Sequence, residues 1–507
     1  MVGGSAVVVG GGVGGLSAAI DLATSGARVT VLERGPRVGG KVRVAEVAGR
    51  TIDVGPTVLT MRWAFDDLFA RAGKKLDDYV KLEAAEVIAR HAWSGGRLLD
   101  LHRDGNKSRA AIATAFGERE AQGFDRFCAD TKRIYETVEG PFLRSQRPTL
   151  GGLFTQAASI GLGALAGIDA HRSMWSALGK YFKSPELRQL FGRYATYCGS
   201  SPFNAPATFN LIAHVEAMGV WRVFGGMVCM AQALETLARE LGVEIVTNAH
   251  AQHIEVRGGR AVAVNTADRS FRADAVIVNG DVSAVTDLVA GSRGAPARTA
   301  PNARSLSAVT WAAVGKAEGV SLVHHNVFFS DDYEAEFRAN FGGRRRADRP
   351  SVYVCAQDRG DRPESFASER FFSIVNAPAT GDQPESWTHE ELERWQEATC
   401  STLERCGLWL RTEASEWTTP LEFEARYPKS GGALYGPAAS GALSTFSREG
   451  SQTKIAGLFL AGGSVHPGPG VPMASLSGQL AARSASADLA SIATSRRAAT
   501  SGSTSTA

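Results

Sequence analysis

Closely spaced glycines followed by an acid are the first residues of this chain whose types and spacing could do chemistry. Gly10, Gly12 and Gly15 lie in the run AVVVGGGVGGLSAAI, and Glu33 ends the later run VTVLE. The first glycine permits a tight turn, the second lets the backbone approach a diphosphate, and the third lets a helix pack closely on the preceding strand. The helix N-terminus then faces the negative charge, and Glu33 can accept hydrogen bonds from ribose hydroxyls. These residues predict a dinucleotide site.

The residues after the acid indicate which dinucleotide is bound. Arg34, Arg37, Gly40 and Lys41 lie in the run RGPRVGGK, and the run TIDVGPTV occupies positions 51–58. A second glycine pair with flanking cations is more than an NAD site needs. It favours a longer, extended cofactor whose diphosphate and flavin each meet backbone N–H groups. The alternative for the cations is an ordinary solvated loop.

A glycine turn near the other end of the chain supplies the expected partner of this loop. The run GLFLAGGSVHP begins at Gly457 and predicts a strand that enters a turn at Gly462 and Gly463. The run GPGVPMAS, from Gly468, then predicts the start of a helix, because proline is favoured in a first helical turn. For both ends to meet one flavin, the cofactor domain must be discontinuous in sequence.

The elements that must position these residues are the strands of an α/β fold. Residues 6–9 and 29–33 predict two buried strands on either side of the first helix. In the middle of the chain, residues 242–254 alternate like a strand pair, and residues 273–281 contain a further buried strand. The regions from about 80 to 215 and from 290 to 450 carry no nucleotide signature, so we expect them to supply a substrate chamber.

Composition restricts the possible classes of protein. The 507 residues are 44% hydrophobic and 21% charged, with a net charge of +3, which excludes a disordered chain and gives no reason to expect nucleic acid. The six cysteines form no CxxC pair and predict reduced, mostly structural thiols of a cytosolic protein. The N-terminus has no secretory signal. The uncharged segment from Pro148 to Ile168 predicts a buried or interfacial helix instead of a membrane span.

No catalytic side chain and no metal site are predicted. His324 and His325 are adjacent, and neighbours in a strand point to opposite faces, so we expect a poor chelate. His466 is the histidine nearest to the C-terminal turn, and we expect it to hold the loop through hydrogen bonds. If a flavin is present, the cofactor carries the difficult step, and the protein needs chiefly to align its substrate and exclude water.

Together these motifs resemble the amine oxidase and phytoene desaturase superfamily of flavoproteins, in which an acid is followed by Arg-x-Gly-Gly-Arg/Lys. Further stretches resemble the carotenoid desaturases specifically, among them DVGPTVL from Asp53 and GGSVHPGPGVP from Gly462. The likeness covers nearly the whole chain apart from its tail. It is closest to the branch that acts on hydroxylated or methoxylated acyclic carotenoids, the hydroxyneurosporene (methoxyneurosporene) 3,4-desaturases.

The resemblance implies roles for individual residues toward FAD. Arg37 is expected near the diphosphate, Lys41 near the flavin, and the backbone of Ala251 near the adenine. The C-terminal helix is expected to point its positive end at the flavin and so to stabilise the negative charge formed when hydride is accepted. The predicted cofactor-binding residues are Gly10, Gly12, Val13, Gly15, Glu33, Arg34, Arg37, Gly40, Lys41, Gly55, Pro56, Thr57, Val58, Ala251, Gly462, Gly463, Ser464, Val471, Pro472 and Met473.

The resemblance also implies a reaction and its partners. We expect FAD-dependent desaturation of an acyclic carotenoid, bearing a 1-hydroxy or 1-methoxy group, at C3–C4, by hydride transfer to flavin N5 and loss of a proton. The alternatives are a phytoene or neurosporene desaturase, or a polyene isomerase, saturase or oxidase; an amine oxidase fits less well. The expected partners are a lipophilic carotenoid, the inner face of the membrane, which a cytoplasmic protein would bind peripherally, and oxygen or a quinone as electron acceptor.

The expected organisation is a discontinuous, Rossmann-like FAD-binding domain of the glutathione-reductase type with a mixed α+β substrate domain. We expect the FAD-binding domain to comprise residues 1–80, 216–290 and 451–490. Residues 81–215 are expected to form a substrate and helical membrane-associating region, residues 291–450 the sheet part of the substrate domain, and residues 491–507 a disordered tail.

Overall fold

Short strands and helices alternate along the chain. The computed structural model describes residues 3–147, 167–360, 366–441, 444 and 448–502, so nearly all of the segment predicted to be an uncharged helix, 148–168, lies outside the described residues. The strands are β1 (Ser5–Val9), β2 (Arg28–Leu32), β3 (Val44–Val47), β4 (Arg50–Asp53), β5 (Leu82–Ala84), β6 (Val87–Ala92), β7 (Leu98–His102), β8 (Trp221–Val223), β9 (Glu244–Val246), β10 (His253–Arg257), β11 (Arg260–Asn265), β12 (Ser270–Arg272), β13 (Ala275–Val278), β14 (Ser307–Gly319), β15 (His325–Phe328), β16 (Val352–Ala356), β17 (Glu369–Ala377), β18 (Leu408–Thr418) and β19 (Leu458–Leu460). The α-helices are α1 (Val13–Thr24), α2 (Trp63–Arg71), α3 (Gly105–Phe116), α4 (Glu118–Val138), α5 (Met174–Leu178), α6 (Pro185–Gly192), α7 (Leu211–Ala217), α8 (Val228–Glu240), α9 (Val282–Leu288), α10 (Tyr333–Phe337), α11 (His389–Arg405), α12 (Pro420–Arg426) and α13 (Val471–Gly502).

A five-stranded parallel sheet joins strands from the start, the middle and the end of the chain. Its order is β19-β13-β1-β2-β9, and each neighbouring pair is parallel. Val7 and Val8 point to opposite faces of the central strand and both are buried, as expected of a parallel sheet that is covered on both sides. This arrangement confirms the predicted discontinuous, Rossmann-like α/β fold.

The first and the last helices pack against each other beside this sheet. Ser17 in α1 and Ser475 in α13 share a buried hydrogen bond of 2.8 Å. A Cβ built on Gly478 would lie 1.9 Å from the carbonyl oxygen of Gly14, so the two helix backbones come closer than any side chain at position 478 would allow. The two ends of the chain therefore meet where β1 and β19 end.

A seven-stranded mixed sheet forms the second layer. Its order is β18-β14-β17-β16-β15-β6-β7, and all pairs are antiparallel except β15 with β6. Helix α11 covers one face, where Trp395 packs in a cluster with Val309 and Phe371. The other face packs on β3 and β4 through Ile52, which lies in a cluster with Phe372. Strands β6 and β7 come from a region in which the sequence analysis had emphasised helices.

Helices α3 to α7 enclose a cluster of aromatic side chains. Leu178 and Phe182, which lie in the region expected to associate with the membrane, are fully buried in it. Nearby, Lys180 pairs with Asp130 at 3.2 Å and Arg188 stacks on Trp175 at 4.5 Å. Leu178 and Phe182 therefore belong to an internal core. In the part of the chain that the structure describes, no helix combines the length and apolarity that crossing a membrane requires.

The last helix extends further than predicted. We expected disorder from about residue 491, but α13 continues to Gly502; residues 503–507 lie outside the described part. The physical reason is that Leu489 still packs in the core, so the helix is already nucleated there. Ala493 and the alanines after it have the highest helix propensity of any residue and let it continue.

Candidate functional site

The glycine loop after β1 leaves a helix N-terminus without a capping side chain. Gly10 has a φ of +99°, and a Cβ on Gly15 would lie 2.0 Å from the carbonyl oxygen of Gly10. Glycine is therefore required for the helix to begin this close to the strand. Helix α1 has no side-chain cap at Gly12 and no acid in its first turn. Its free N–H groups and its dipole suit an anion such as a diphosphate.

Glu33 lies directly after β2, beside this loop. Its carboxylate accepts hydrogen bonds from the backbone N–H groups of Gly11, at 2.8 Å, and Gly35, at 2.7 Å. Its own N–H donates to the carbonyl oxygen of Val246 at 2.8 Å. The predicted ribose-binding acid is thus next to the segment that leads from β9 to Ala251. That Ala251 contacts adenine stays a prediction.

The second glycine segment lies against the first. The N–H of Gly39 donates to the carbonyl oxygen of Gly11 at 2.9 Å. A Cβ on Gly40 would lie 3.1 Å from the Cα of Gly12, and one on Gly55 would lie 2.0 Å from the carbonyl oxygen of Lys41. The predicted segments around residues 10–15, 39–41 and 55–58 are therefore adjoining pieces of backbone with little side-chain bulk.

The three predicted cations take different positions. The Nζ of Lys41 donates to the carbonyl oxygen of Leu434 at 2.5 Å. The Lys41 side chain is exposed to solvent on one side, but the protein packed around its ammonium group desolvates it and lowers its pKa to about 8. Arg34 instead points to α12, where it donates to the carbonyl oxygens of residues 425 and 426, and Arg37 is exposed. The structure places Lys41, but not the Arg34 guanidinium, within the candidate site.

The C-terminal turn approaches the first glycine loop from the side of β13. A Cβ on Gly462 would lie 2.8 Å from Oδ1 of Asn279. The Oγ of Ser464 accepts a hydrogen bond from the N–H of Val282 at 3.1 Å. Helix α13 then begins at Val471, with proline in its first turn and no acid there. Two helix N-termini without acids, those of α1 and α13, thus belong to one site.

Asn279 and Arg448 belong to this site but were missed by the sequence analysis. The Nδ2 of Asn279 donates to the carbonyl oxygen of Gly10 at 3.1 Å. The buried guanidinium of Arg448 donates to the carbonyl oxygens of Tyr435, at 2.9 Å, and Gly463, at 3.1 Å. Asn279 follows β13 directly, and this was a usable signal because the carboxyl ends of parallel strands meet at one edge of the sheet. Arg448 lies in an irregular segment whose sequence carries no comparable signal.

A cavity of about 1380 Å³, counted with its open mouth, begins at the C-terminal turn. Val58 and the residues 471–473 contribute to its lining, so two of the predicted cofactor segments border it. Apolar side chains such as Phe142, Leu211 and Ile212 form much of the remaining wall. Among the lining residues that the structure describes, none has a charged side chain. The cavity therefore suits an apolar ligand.

Tyr197, one of several polar residues that line this cavity, belongs to a buried network behind its wall. The hydroxyl of Tyr197, a lining residue, donates to Glu216 at 2.5 Å, and the hydroxyl of Tyr194 donates to the other carboxylate oxygen at 2.6 Å. The guanidinium of Arg193 lies over both tyrosine rings. Burial and the Glu216 carboxylate raise the pKa of Tyr197, so this phenol stays neutral. The Tyr197 oxygen also accepts a hydrogen bond from Arg193 at 3.5 Å, which leaves one lone pair with which it can accept a hydrogen bond from a ligand.

His466 ties the C-terminal turn to the helical region. Its Nε2–H donates to the carbonyl oxygens of Phe142, at 2.9 Å, and Ser145, at 3.1 Å. Burial lowers the pKa of His466 to about 4, so the ring is neutral at physiological pH. These hydrogen bonds agree with the structural role predicted for this residue.

The expectation that His324 and His325 point apart is wrong. Their ring centroids are 4.6 Å apart, and the ligand atoms of both rings lie within 4.8 Å of each other and of the Cys355 sulfur. Strand β15 begins at His325, so His324 lies in the preceding bend and does not follow the alternation of a strand.

Comparisons with known proteins agree with this geometry. The sequence pattern of a family described as flavin containing amine oxidoreductase matches residues 13–485. The chain is 46% identical, over 507 residues, to the hydroxyneurosporene desaturase of Rubrivivax gelatinosus, covering 99% of this chain and 96% of that protein. It is 34% identical, over 495 residues, to the 4,4'-diapolycopene oxygenase of a Methylomonas species, covering 95% and 98%. The crystal structure of an oxidoreductase from Methanosarcina mazei shares the fold, with a TM-score of 0.61 at 15% identity over 95% of this chain and 99% of that one.

Proposed function

Because this chain belongs to the family of flavin-containing amine oxidoreductases, we propose that it is a desaturase of an acyclic carotenoid that bears a hydroxyl group at C1. The protein is an FAD-dependent oxidoreductase. The proposed reaction removes a hydride and a proton from C3 and C4 and so extends the conjugated system by one double bond. A carotenoid with a methoxyl group at C1 is the alternative substrate.

The residues present fit FAD. The N-terminus of α1, where the backbones of Gly12 and Gly40 face each other, would hold the diphosphate, and Glu33 would bind the ribose hydroxyls. The first turn of α13, at Val471, would face the flavin ring with its positive end. The ammonium group of Lys41 would place a positive charge beside that ring. When bound, FAD supplies the acceptor for the hydride.

The observation that carries the substrate proposal is the lack of charge in the described lining of the cavity. An amine that enters as a cation needs a carboxylate or the faces of aromatic rings to offset its desolvation. A polyene needs instead a long apolar channel that excludes water. Phe142, Leu211 and Ile212 provide such walls, and the name of the Rubrivivax relative supports a carotenoid.

The chain's own contribution to the reaction is alignment. The apolar walls would hold the polyene with C3 and C4 beside the first turn of α13, and a correctly placed substrate can account for a large part of a rate enhancement. We propose that the Tyr197 hydroxyl accepts a hydrogen bond from the C1 hydroxyl of the substrate. A methoxyl group has no hydrogen to donate, and the Tyr197 hydrogen is held by Glu216. This arrangement favours the hydroxylated substrate.

Turnover of pure carotenoids by the purified holoenzyme tests the proposal. With 1-hydroxyneurosporene we expect a product that is lighter by two hydrogens and absorbs at longer wavelength. A product with unchanged conjugation would indicate an isomerase, one with shorter conjugation a saturase, and one that has gained oxygen an oxygenase. Peroxide released from amines without polyene turnover would indicate an amine oxidase. Each of these four results would overturn the proposal.

Two variants test the cavity and the anchor. Leu211→Trp should fill the cavity and abolish turnover, whereas Leu98→Trp, at a position that is 40% exposed, should leave turnover unchanged. Tyr197→Phe removes one hydrogen bond worth about 1 kcal/mol, so the preference for 1-hydroxyneurosporene over neurosporene should fall about fivefold. An unchanged preference would contradict the proposed role of Tyr197 but not the proposed desaturation.

We propose further that the protein binds the cytoplasmic surface of the membrane, where its substrate is dissolved, and passes its electrons to oxygen or a quinone. Met218, 39% exposed, follows α7 directly, and that helix lines the cavity through Leu211. The fraction of protein that sediments with anionic phospholipid vesicles should therefore be smaller for Met218→Glu than for the wild type. It should be unchanged for Trp409→Glu, at a 40% exposed position on β18. Equal loss in both variants would argue against this surface. Anaerobic turnover with an added quinone decides between the electron acceptors.

A further inference from the structure

A cluster of two histidines and a cysteine lies between β15 and β16; none of the three is proposed to bind FAD or substrate, but Tyr353 links them to Thr57, which is. We propose that His324, His325 and Cys355 bind a zinc ion. One nitrogen of each ring and the sulfur lie within 4.8 Å of one another. The proposal concerns these three residues alone and does not depend on the substrate of the enzyme.

The backbone brings the three side chains together. His325 and Cys355 are directly opposite in the antiparallel pair of β15 and β16, so their side chains point to the same face of the sheet. His324 lies in the bend just before β15, and its Nε2 is 3.6 Å from the Cys355 sulfur. A pair of adjacent histidines can therefore converge here, although two residues inside a strand could not.

Each imidazole is oriented by a hydrogen bond at Nδ1. The Nδ1–H of His324 donates to the carbonyl oxygen of Arg359 at 3.0 Å, so its Nε2 carries the lone pair that faces the Cys355 thiol at 3.6 Å. The Nδ1 of His325 lies 2.7 Å from the hydroxyl of Tyr353, which in turn lies 2.6 Å from the hydroxyl of Thr57. If Tyr353 donates to Thr57, it accepts the hydrogen of His325. This is the outer arrangement of partners that holds histidine ligands of metal ions in place.

The second nitrogen of His325 is the observation that points to a missing ligand. The side chain is 2% exposed, and within the described chain its Nε2 has no hydrogen-bond partner. A buried polar atom without a partner is uncommon and destabilising. A metal ion bound by the three side chains would replace the thiol hydrogen that now joins Cys355 to Nε2 of His324, and would give His325 a further partner.

The donor set and its surroundings select the metal. Two imidazoles and a thiolate suit zinc, and they do not suit magnesium or calcium, which prefer oxygen ligands. Zinc binds cysteine as the thiolate, so occupation of the site would release the thiol proton of Cys355. Ligands of tetrahedral zinc are about 3.5 Å apart. Small side-chain rotations would bring the three ligand atoms from at most 4.8 Å apart to this separation.

The expected role of the ion is structural. Through Tyr353 and Thr57, the cluster is linked to residues 55–58, one of the segments predicted to bind FAD. Three protein ligands leave a position for water, and His324 is only partly buried, so solvent can reach it. The ion would fix the end of β15 against β16 behind the cofactor site.

Cobalt substitution tests the site in the full-length holoenzyme. After treatment with a chelator and removal of the chelator, the protein should bind one equivalent of Zn²⁺, measured by elemental analysis. With Co²⁺ it should show visible d–d bands at wavelengths longer than those of flavin absorption, together with a thiolate-to-cobalt band in the near ultraviolet. Cys355→Ser should lose the thiolate band and the bound metal, and Cys406→Ser, at another buried cysteine, should keep both.

His324→Gln is the second variant, because its partly exposed side chain can be replaced with less risk to folding. FAD content and the thermal unfolding midpoint show whether each variant is folded. If Cys355→Ser does not fold, the site is supported when folded His324→Gln fails to bind the one equivalent of Zn²⁺ that the wild type binds. The proposal is overturned if the wild-type protein binds no equivalent, or if folded Cys355→Ser or His324→Gln binds zinc and cobalt as the wild type does.

Discussion

Replacing Gly478 by alanine should separate the two ends of the chain. The added Cβ would lie 1.9 Å from the carbonyl oxygen of Gly14, whereas ordinary contact begins at 3.4 Å, so helices α1 and α13 must move apart by up to 1.5 Å. Both helices belong to a close-packed core that yields little. Overpacking of such a core costs typically 1–3 kcal/mol, and the contact with a rigid backbone oxygen places Gly478→Ala at the upper end, about 3 kcal/mol.

This strain should be measurable in both stability and cofactor binding. FAD needs the glycine loop of α1 and the first turn of α13 together, so part of the strain is imposed only when it binds. If about half of the strain acts in this way, the Kd for FAD rises about tenfold, since 1.4 kcal/mol corresponds to a factor of ten. Titration of the apoprotein with FAD by flavin fluorescence measures the Kd, and thermal unfolding measures stability.

A matched control distinguishes this steric effect from a general effect of alanine. Gly105 lies at the start of α3, and a Cβ there would have no atom within 4 Å. Gly105→Ala should be neutral or stabilising by up to about 1 kcal/mol. If Gly478→Ala unfolded at the same temperature as Gly105→Ala and bound FAD equally well, our account of how the two ends meet would be refuted.

Three further predictions concern buried charges. Burial raises the pKa of the Glu336 carboxyl from 4.5 to about 7, so the folded protein holds this proton more tightly; stability should fall by about 3 kcal/mol as pH rises from 4.5 to 7, and this fall should disappear in Glu336→Gln. Glu369→Ala should lower the free energy of unfolding, measured with denaturant, by about 3–5 kcal/mol, because it leaves the buried Arg359 without its carboxylate. The double variant Arg359→Met with Glu369→Leu should recover most of that free energy. Asp53→Ala should cost about 1–2 kcal/mol with an unchanged m-value, since it removes the acceptor for the N–H of Met227 at the start of α8.

The nucleotide-binding half of the molecule could be predicted from local spacing. Gly10, Gly15 and Glu33 lie within one strand–helix–strand unit, and the contacts that require them involve residues close in sequence, such as the one between Gly15 and the oxygen of Gly10. Asn279 was missed because its partner, Gly10, is far away along the chain. Arg34 was predicted to bind the cofactor, but a contact with α12, nearly 400 residues later, decides where its side chain points.

Predictions that depended on neighbours in space fared less well. The alanines after Leu489 looked like a disordered tail, but they continue a helix whose earlier turns are anchored in the core. His324 and His325 were expected to point to opposite faces of a strand, but His324 lies in a bend before β15, and the sequence does not show that the strand begins only at His325. The sequence did not show whether the apolar side chains around Leu178 and Phe182 face a membrane or the core, and the aromatic cluster around them shows that they belong to the core.

By itself, the sequence determined that this chain binds a dinucleotide, which residues make its glycine turns, and that both ends of the chain belong to one domain. Short-range spacing suffices for this, because turns and helix starts are set by backbone conformation within a few residues. Only the tertiary structure shows that the described residues lining the cavity carry no charge and that Tyr197, which is among them, is hydrogen-bonded to Glu216. Only the tertiary structure brings Cys355 close to His324 and His325. These features depend on which distant segments pack together, and the free energy of that packing is spread over the whole core.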